Sequence, residues 1–373
     1  MKHYKLADVA VEINDRENNP SASKYDCFVG LEHYVSGEVI IRNYGSTEKL
    51  ESTMKVFRSG DILVARRNVY LKRAATVDFD GLTSGDSIVL RAKNPTIGRI
   101  LPFVLNTDEF WDFADQYSDG TMSKRLSPKT LMQYEFDLPN DDELEAFADT
   151  LWAANDTKEA YQRLLFQTDE LVKSQFIEMF GDPESALSSE HTVEEVADVQ
   201  VGIVIKPTRY YSDGQNGVKA FRSLNVGTMY IKDEDWVYFT EEAMTETQRT
   251  VAHTGDVLVV RSGAPGTSCV VTEEYDGCNV VDLIIAHPKI DKILPEYLCA
   301  FTNYPHGMDQ IIGQQRGVAQ KHFNVGLYNK LKIVLPPIEE QKRFVSILEQ
   351  SDKSKYIKQI VWFDSVRGGE FCA

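Results

Sequence analysis

Gly60-Asp-Ile-Leu-Val-Ala-Arg66 returns 195 residues later as Gly255-Asp-Val-Leu-Val-Val-Arg261, and this recurrence decides how the 373-residue chain is to be read. Phe28-x-x-Leu31 has a counterpart in Phe221-x-x-Leu224, and Phe79-Asp-Gly81 in Tyr275-Asp-Gly277. Gly120, Lys124, Leu138-Pro139, Glu143, Phe147 and Leu151 recur as Gly317, Lys321, Leu335-Pro336, Glu340, Phe344 and Leu348. The offset drifts only between 193 and 197 and the order never breaks, which reads as a tandem duplication.

Each copy begins with short β-branched runs bounded by Gly, Asp and Asn, at 62–65 and 87–90, then at 257–260 and 280–285. A Leu-Pro and an acid-capped helix follow. After Pro139 the helix opens Asn140-Asp-Asp-Glu143, with acids where its dipole favours them. Leu144, Phe147, Leu151, Ala154, Tyr161, Leu165, Val172 and Met179 then recur at the spacing of a seam against a second long helix. Unbroken, 141–180 would extend roughly 60 Å, longer than a small domain needs. Asn155-Asp156-Thr157 leaves open a break and a fresh N-cap. The second helix starts at Pro336-Pro-Ile-Glu-Glu-Gln-Lys-Arg-Phe344; it is shorter, and the last dozen residues do not continue its repeat. Helices from equivalent places in a duplication can pair antiparallel about a pseudo-twofold axis. The expected fold is α+β: two mixed α/β domains joined by long helices forming an antiparallel coiled coil.

Composition narrows the function classes. Hydrophobic residues at 42% and charged residues at 26% describe an ordinary soluble protein, and no apolar run approaches a membrane span. The N-terminus lacks the layout of a secretory signal. Five scattered cysteines without a CxxC pair point to a reducing cytoplasm and away from disulfides or cysteine-bound zinc. A net charge of −17 disfavours phosphate, yet the acid is uneven: residues 137–185 hold 13 Asp+Glu against 3 Lys+Arg. The flanking domains keep room for basic surfaces. The acidic helix is expected to face protein partners, through Asp141, Asp142, Glu143 and Glu145, because it would repel DNA.

The paired Gly-Asp-Ile/Val-Leu-Val-x-Arg motifs and Leu-Pro-Pro-Ile-Glu-Glu-Gln-Lys-Arg-Phe at 335–344 resemble the specificity subunit of type I restriction-modification systems. The resemblance runs from residue 4 to about 361. It implies a first target recognition domain over 1–138, a central helix over 139–182, a second recognition domain over 183–336, a second helix over 337–362 and a tail over 363–373. It further implies that each domain reads half of a split, asymmetric DNA site. The helices set the spacing and dock methyltransferase subunits, which would bind S-adenosylmethionine, and nuclease-translocase (restriction) subunits join them. No cofactor is expected on this chain, and no chemistry.

Catalytic motifs are missing. Ser262-Gly-Ala-Pro-Gly-Thr267 lacks the lysine and spacing of a phosphate loop and reads as a turn between strands. Glu340-Gln-Lys342 has a nuclease-like spacing but sits at a helix start, where it caps. No HExxH, GxGxxG or GxSxG occurs. DNA recognition requires cations for phosphates and forked donors for base edges. The densest cluster is Arg66, Arg67 and Asn68 with Lys72 and Arg73, and Arg66 has its repeat partner in Arg261. Lys124 and Arg125 match the positions of Gln315, Arg316, Lys321 and His322 before each Leu-Pro. Lys206, Arg209 and Tyr210 add cations beside aromatics; Arg42-Asn43-Tyr44 is a weaker version. A strand-end arginine that only pairs a carboxylate, or a solvated turn, remains the alternative at each. The framework repeats while these loops differ, so the two domains are expected to read different half-sites. The competing class is a pseudo-symmetric scaffold that recognises partners and not DNA.

Overall fold

The computed structural model describes residues 1–120, 124–204, 207–212, 217–315 and 323–351. The chain divides into two compact units, Met1–Tyr161 and Gln162–Ala373.

In the first unit, strands Ala10–Ile13, Ser87–Ala92, Ile62–Ala65 and Ala74–Thr76 lie side by side in that order, all antiparallel. Alternate side chains of a strand face opposite ways, so an unbroken apolar run implies cover on both faces. The clusters agree with that rule. Ile62, Val64, Ile88 and Leu90 pack towards helices Pro95–Val104 and Asp108–Gln116, with Leu101, Phe110 and Leu144. Leu63, Ala65 and Val89 pack the other way, with Val29 and Phe57 of a five-stranded sheet. That sheet runs Arg16–Glu17, Met54–Phe57, Gly81–Thr83, Cys27–Val29, Gly45–Ser46.

The second unit carries Ala197–Val201, Leu283–Pro288, Val257–Val260 and Ser268–Val270 in the same order, again antiparallel throughout. Val257, Val259, Ile284 and Ala286 face an aromatic cluster of Tyr297, Phe301 and Phe323. Leu258, Val260, Leu283 and Ile285 face Phe221 and Tyr275. Each unit also pairs two strands in parallel, Cys27–Val29 with Gly81–Thr83 and Val218–Phe221 with Asn279–Val280.

The repeated Gly-Asp motif now has a physical reason. Gly60 and Gly255 have φ of 86° and 88°, a left-handed conformation that a Cβ disfavours. Asp61 and Asp256 close the turn by accepting from the amides of Arg58 (2.8 Å) and His253 (2.7 Å). Asp80 and Asp276, the centres of the repeated aromatic-Asp-Gly, accept from the amides of Ser59 (2.9 Å) and Thr254 (2.8 Å). Both buried motif aspartates pair with a basic side chain from the neighbouring strand. Arg91 grips Asp61 through two 2.7 Å bonds, whereas His287 Nδ1 stands 2.6 Å from Asp256.

A single helix, Leu144–Phe180, spans 37 residues. No break occurs at 155–157: Asn155 is buried in mid-helix and donates to Glu159, and Thr157 donates back to the Ala153 carbonyl. The first turns belong to the first unit, where Leu144 and Ala148 enter its core and Trp152 donates to the Arg99 carbonyl. The last turns belong to the second unit, where Val172, Phe176 and Phe180 enter the core with Phe344 and Leu348 of the helical residues 338–351.

Candidate nucleic-acid interface

Strand Ile62–Ala65 ends at Arg66, and the chain leaves the sheet through 66–73 before returning at Ala74–Thr76. Asn68 and Lys72, with φ of 56° and 46°, bracket the 3-10 turn Val69–Leu71. Such angles cost a residue with a Cβ about 1 kcal/mol or more, so the surroundings must hold them. Val69 is buried as an anchor, and the Asn68 amide donates to the Lys124 carbonyl at 2.9 Å. The Leu126 amide donates to the Arg66 carbonyl at 2.8 Å, and Arg67 and Arg125 face each other across an antiparallel bridge. Two basic segments that are far apart in sequence, 66–73 and 124–125, therefore form one surface.

Within that surface the cations have different duties. Arg73 donates to the carbonyls of Leu31 and Arg67 and so braces the loop. Lys72 pairs with Asp108, and Lys124 with Asp115. Arg67 and Arg125 share Asp86, at 3.7 and 3.1 Å, and both side chains stay about half exposed (45% and 49%). Exposed pairs of this kind are worth less than about 1 kcal/mol, so a phosphate can displace the carboxylate. Tyr70 stands at the tip, 65% exposed. It was not among the expected site residues. The signal was an aromatic interleaved with the cations of 66–73.

The matched surface of the second unit is built differently. Arg261 is only 14% exposed, donating from Nη1 to Asp282 at 2.5 Å and from Nε to the Phe323 carbonyl. Asp282 is the repeat equivalent of Asp86, at offset 196, and here the carboxylate takes the strand-end arginine itself. The loop after Arg261 is the expected turn between strands, with Gly263 and Gly266 at positive φ and the Gly266 amide bonded to the Val260 carbonyl. A groove opens beside it, lined by Leu224, Tyr230, Lys232, Ser262, Ala264 and Thr267. Arg209 lies over the Tyr210 ring, 4.3 Å from its centroid, and near Glu246. Tyr210 is itself buried against Phe239, so its ring supports Arg209 and is closed to stacking by a base. Lys206, Arg316, Lys321 and His322 lie outside the described residues, as does the side chain of Gln315.

Residues 211–360, most of the second unit, match the family described as the type I restriction modification DNA specificity domain. The second unit is similar to a type I DNA specificity domain. No curated protein matches the chain. Among solved structures, it resembles a chain from a type I R-M system whose complex assembly and conformational transition were determined. That match is 19% identical over 98% of this chain and 94% of the other, with a TM-score of 0.50. It also resembles the S subunit of the Type-I restriction-modification system from M. genitalium, 14% identical over 97% of this chain and 92% of that one, TM-score 0.53. At these identities the likeness is one of fold, and it extends beyond the matched domain to both units. Among the described residues, no three His, Cys, Asp or Glu side chains converge to hold a metal, and no helix is long and apolar enough to cross a membrane.

Proposed function

We propose that the chain is the noncatalytic DNA-specificity subunit of a type I restriction-modification complex. Each recognition domain, 1–138 and 183–336, reads one half of a bipartite asymmetric duplex site. Support comes from the specificity-domain match over 211–360, because the unit it covers has the strand order and Gly-Asp turn of the other unit. The same correspondence supports the tandem duplication. The exposed cations of 66–73 and 124–125 are the half-site surface of the first domain, with Arg67, Arg125 and Tyr70 as its most exposed contacts. The helix Leu144–Phe180 and the helical residues 338–351 pair as an antiparallel coiled coil, set the half-site spacing and dock methyltransferase subunits; the rest of the expected second helix, 352–362, and the tail 363–373 lie outside the described residues. S-adenosylmethionine binds in those partners, restriction subunits join the core, and the assembly works in the cytoplasm.

Reconstitution tests the reading. The full chain with its methyltransferase partner and S-adenosylmethionine should methylate a two-part sequence, and neither component should do so alone. If a partner preparation lacking this chain methylates the same sites, the chain does not confer specificity. The scaffold reading draws on the net charge of −17 and predicts assembly with partners but no retention of any duplex from a random library.

A further inference from the structure

Three cations of the first unit meet without enough acid to balance them. Strand Arg16–Glu17 pairs antiparallel with Met54–Phe57, and the register sets Arg16 directly opposite Lys55. Directly opposed residues share a face of the sheet, and like charges there destabilise it. The Lys55 side chain is 11% exposed; its ammonium donates to the Ser87 carbonyl at 3.1 Å and lies 3.8 Å from Glu12. Ser87 is the register partner of Ala65, so the ammonium sits beside the strand end from which Arg66 emerges. The Arg66 Nε is fully buried and has no hydrogen-bond acceptor. Among the described residues neither Arg16 nor Arg66 forms an ion pair, which leaves Glu12 alone against three positive groups. Burial, partly countered by Glu12 and reinforced by Arg66 and Arg16, pulls the Lys55 ammonium below its ordinary range. A protein with an overall charge of −17 has ample carboxylates to neutralise such a cluster, yet among the described residues only Glu12 pairs with any of the three.

We propose that Arg16, Lys55 and Arg66 form a binding site for a tetrahedral oxyanion, occupied by one phosphodiester of the DNA backbone when duplex is bound. The occupant rests on the DNA reading above; the anion site does not. Arg66 supplies a forked donor, Lys55 a fixed point charge desolvated before the ligand arrives, and Arg16 an exposed cation from the edge strand. The site stabilises the bound state at the expense of the free one, because the like charges repel until an anion enters.

The test uses the full chain and the variants Arg16→Gln, Lys55→Gln and Arg66→Gln, with Lys129→Gln as a charge control on another element. Duplex affinity is measured against salt, and thermal midpoint against inorganic phosphate. Each site variant should flatten the log–log salt slope by roughly 0.9, one phosphate contact, and the control should not. Phosphate should raise the midpoint of the wild type more than that of any site variant. In phosphate-free buffer Arg16→Gln and Arg66→Gln should be no less stable than the wild type, which a merely structural role would not give. Unchanged slopes together with an equal phosphate response overturn the site. If the wild type retains no duplex, the DNA reading fails, and the phosphate arm alone decides: a larger wild-type rise keeps the anion site, an equal rise removes it. Should Lys55→Gln fail to fold, the two arginine variants carry the result.

Discussion

At Asp256 and Asp61 one motif carries two chemistries. The Asp61 carboxylate is 1% exposed and doubly bonded to Arg91, a cation at every accessible pH. Asp61→Ala should cost about 2–3 kcal/mol, the lower end for a broken buried pair because Arg91 is partly solvated; urea unfolding measures it. In the second unit the cation is His287, whose pKa the Asp256 carboxylate raises against the opposing effect of burial, with a further small rise from Asp198. A histidine with a raised folded pKa contributes stability that is complete below its unfolded value of ~6.5 and fades as pH climbs through the folded one. His306 is shifted the other way by burial, so the comparison must be by difference. The gap in urea midpoint between wild type and Asp256→Asn should be widest near pH 5.5 and narrow towards pH 8.5. His287→Arg should keep the gap open across that range. A gap independent of pH would show that His287 does not titrate against Asp256.

Loops and helices carry the element-scale consequences. Asp86 occupies the two most exposed guanidinium groups of the basic surface, Arg67 and Arg125, and so competes with phosphate. Asp86→Ala should tighten binding to non-specific duplex and steepen its salt dependence, read by fluorescence anisotropy; weaker binding would place the surface elsewhere. In the helix Leu144–Phe180, Phe176 touches Tyr297, Tyr304, His306 and Phe344 and is 1% exposed. Phe176→Ala should cost about 3–5 kcal/mol, and a double-mutant cycle with Phe344→Ala should return a coupling of about 0.5–1.5 kcal/mol. The acids at the start of this helix are not all available to partners. Asp141 is held by Lys2 and Tyr4, and Glu145 by Arg99 and Thr96. Neutralising those two perturbs the first unit; Asp142, exposed, is the cleaner probe of docking.

For the whole molecule, the division of labour between the units is what function turns on. Arg66→Ala with Arg67→Ala should change one half of the methylated sequence and leave the other as it was, seen by mapping methylation genome-wide in cells carrying the complex. Equal change in both halves would contradict independent reading. Arg261→Ala should behave otherwise despite its matching position: its buried pair with Asp282 makes it a support of the second unit, and its loss should appear as instability more than as altered sequence preference.

The strand runs at 62–65, 87–90 and 257–260, the turn after Arg261 and the long helix were legible from residues alone, because they follow from local rules, whereas the order of the strands in each sheet was not. A glycine at positive φ, an aspartate closing its turn and an apolar run too continuous for a one-faced strand each leave a mark that duplication then repeats. What a cation does is not local. Arg66 and Arg261 look alike in sequence, yet one emerges beside Lys55 and the other is clamped by Asp282, and Tyr210 reads as a stacking platform although its ring is buried under Arg209. Charge is neutralised by whatever the fold brings within a few ångströms, often from the next strand or from tens of residues away. Only the tertiary arrangement decides which side chains stay free to meet a ligand.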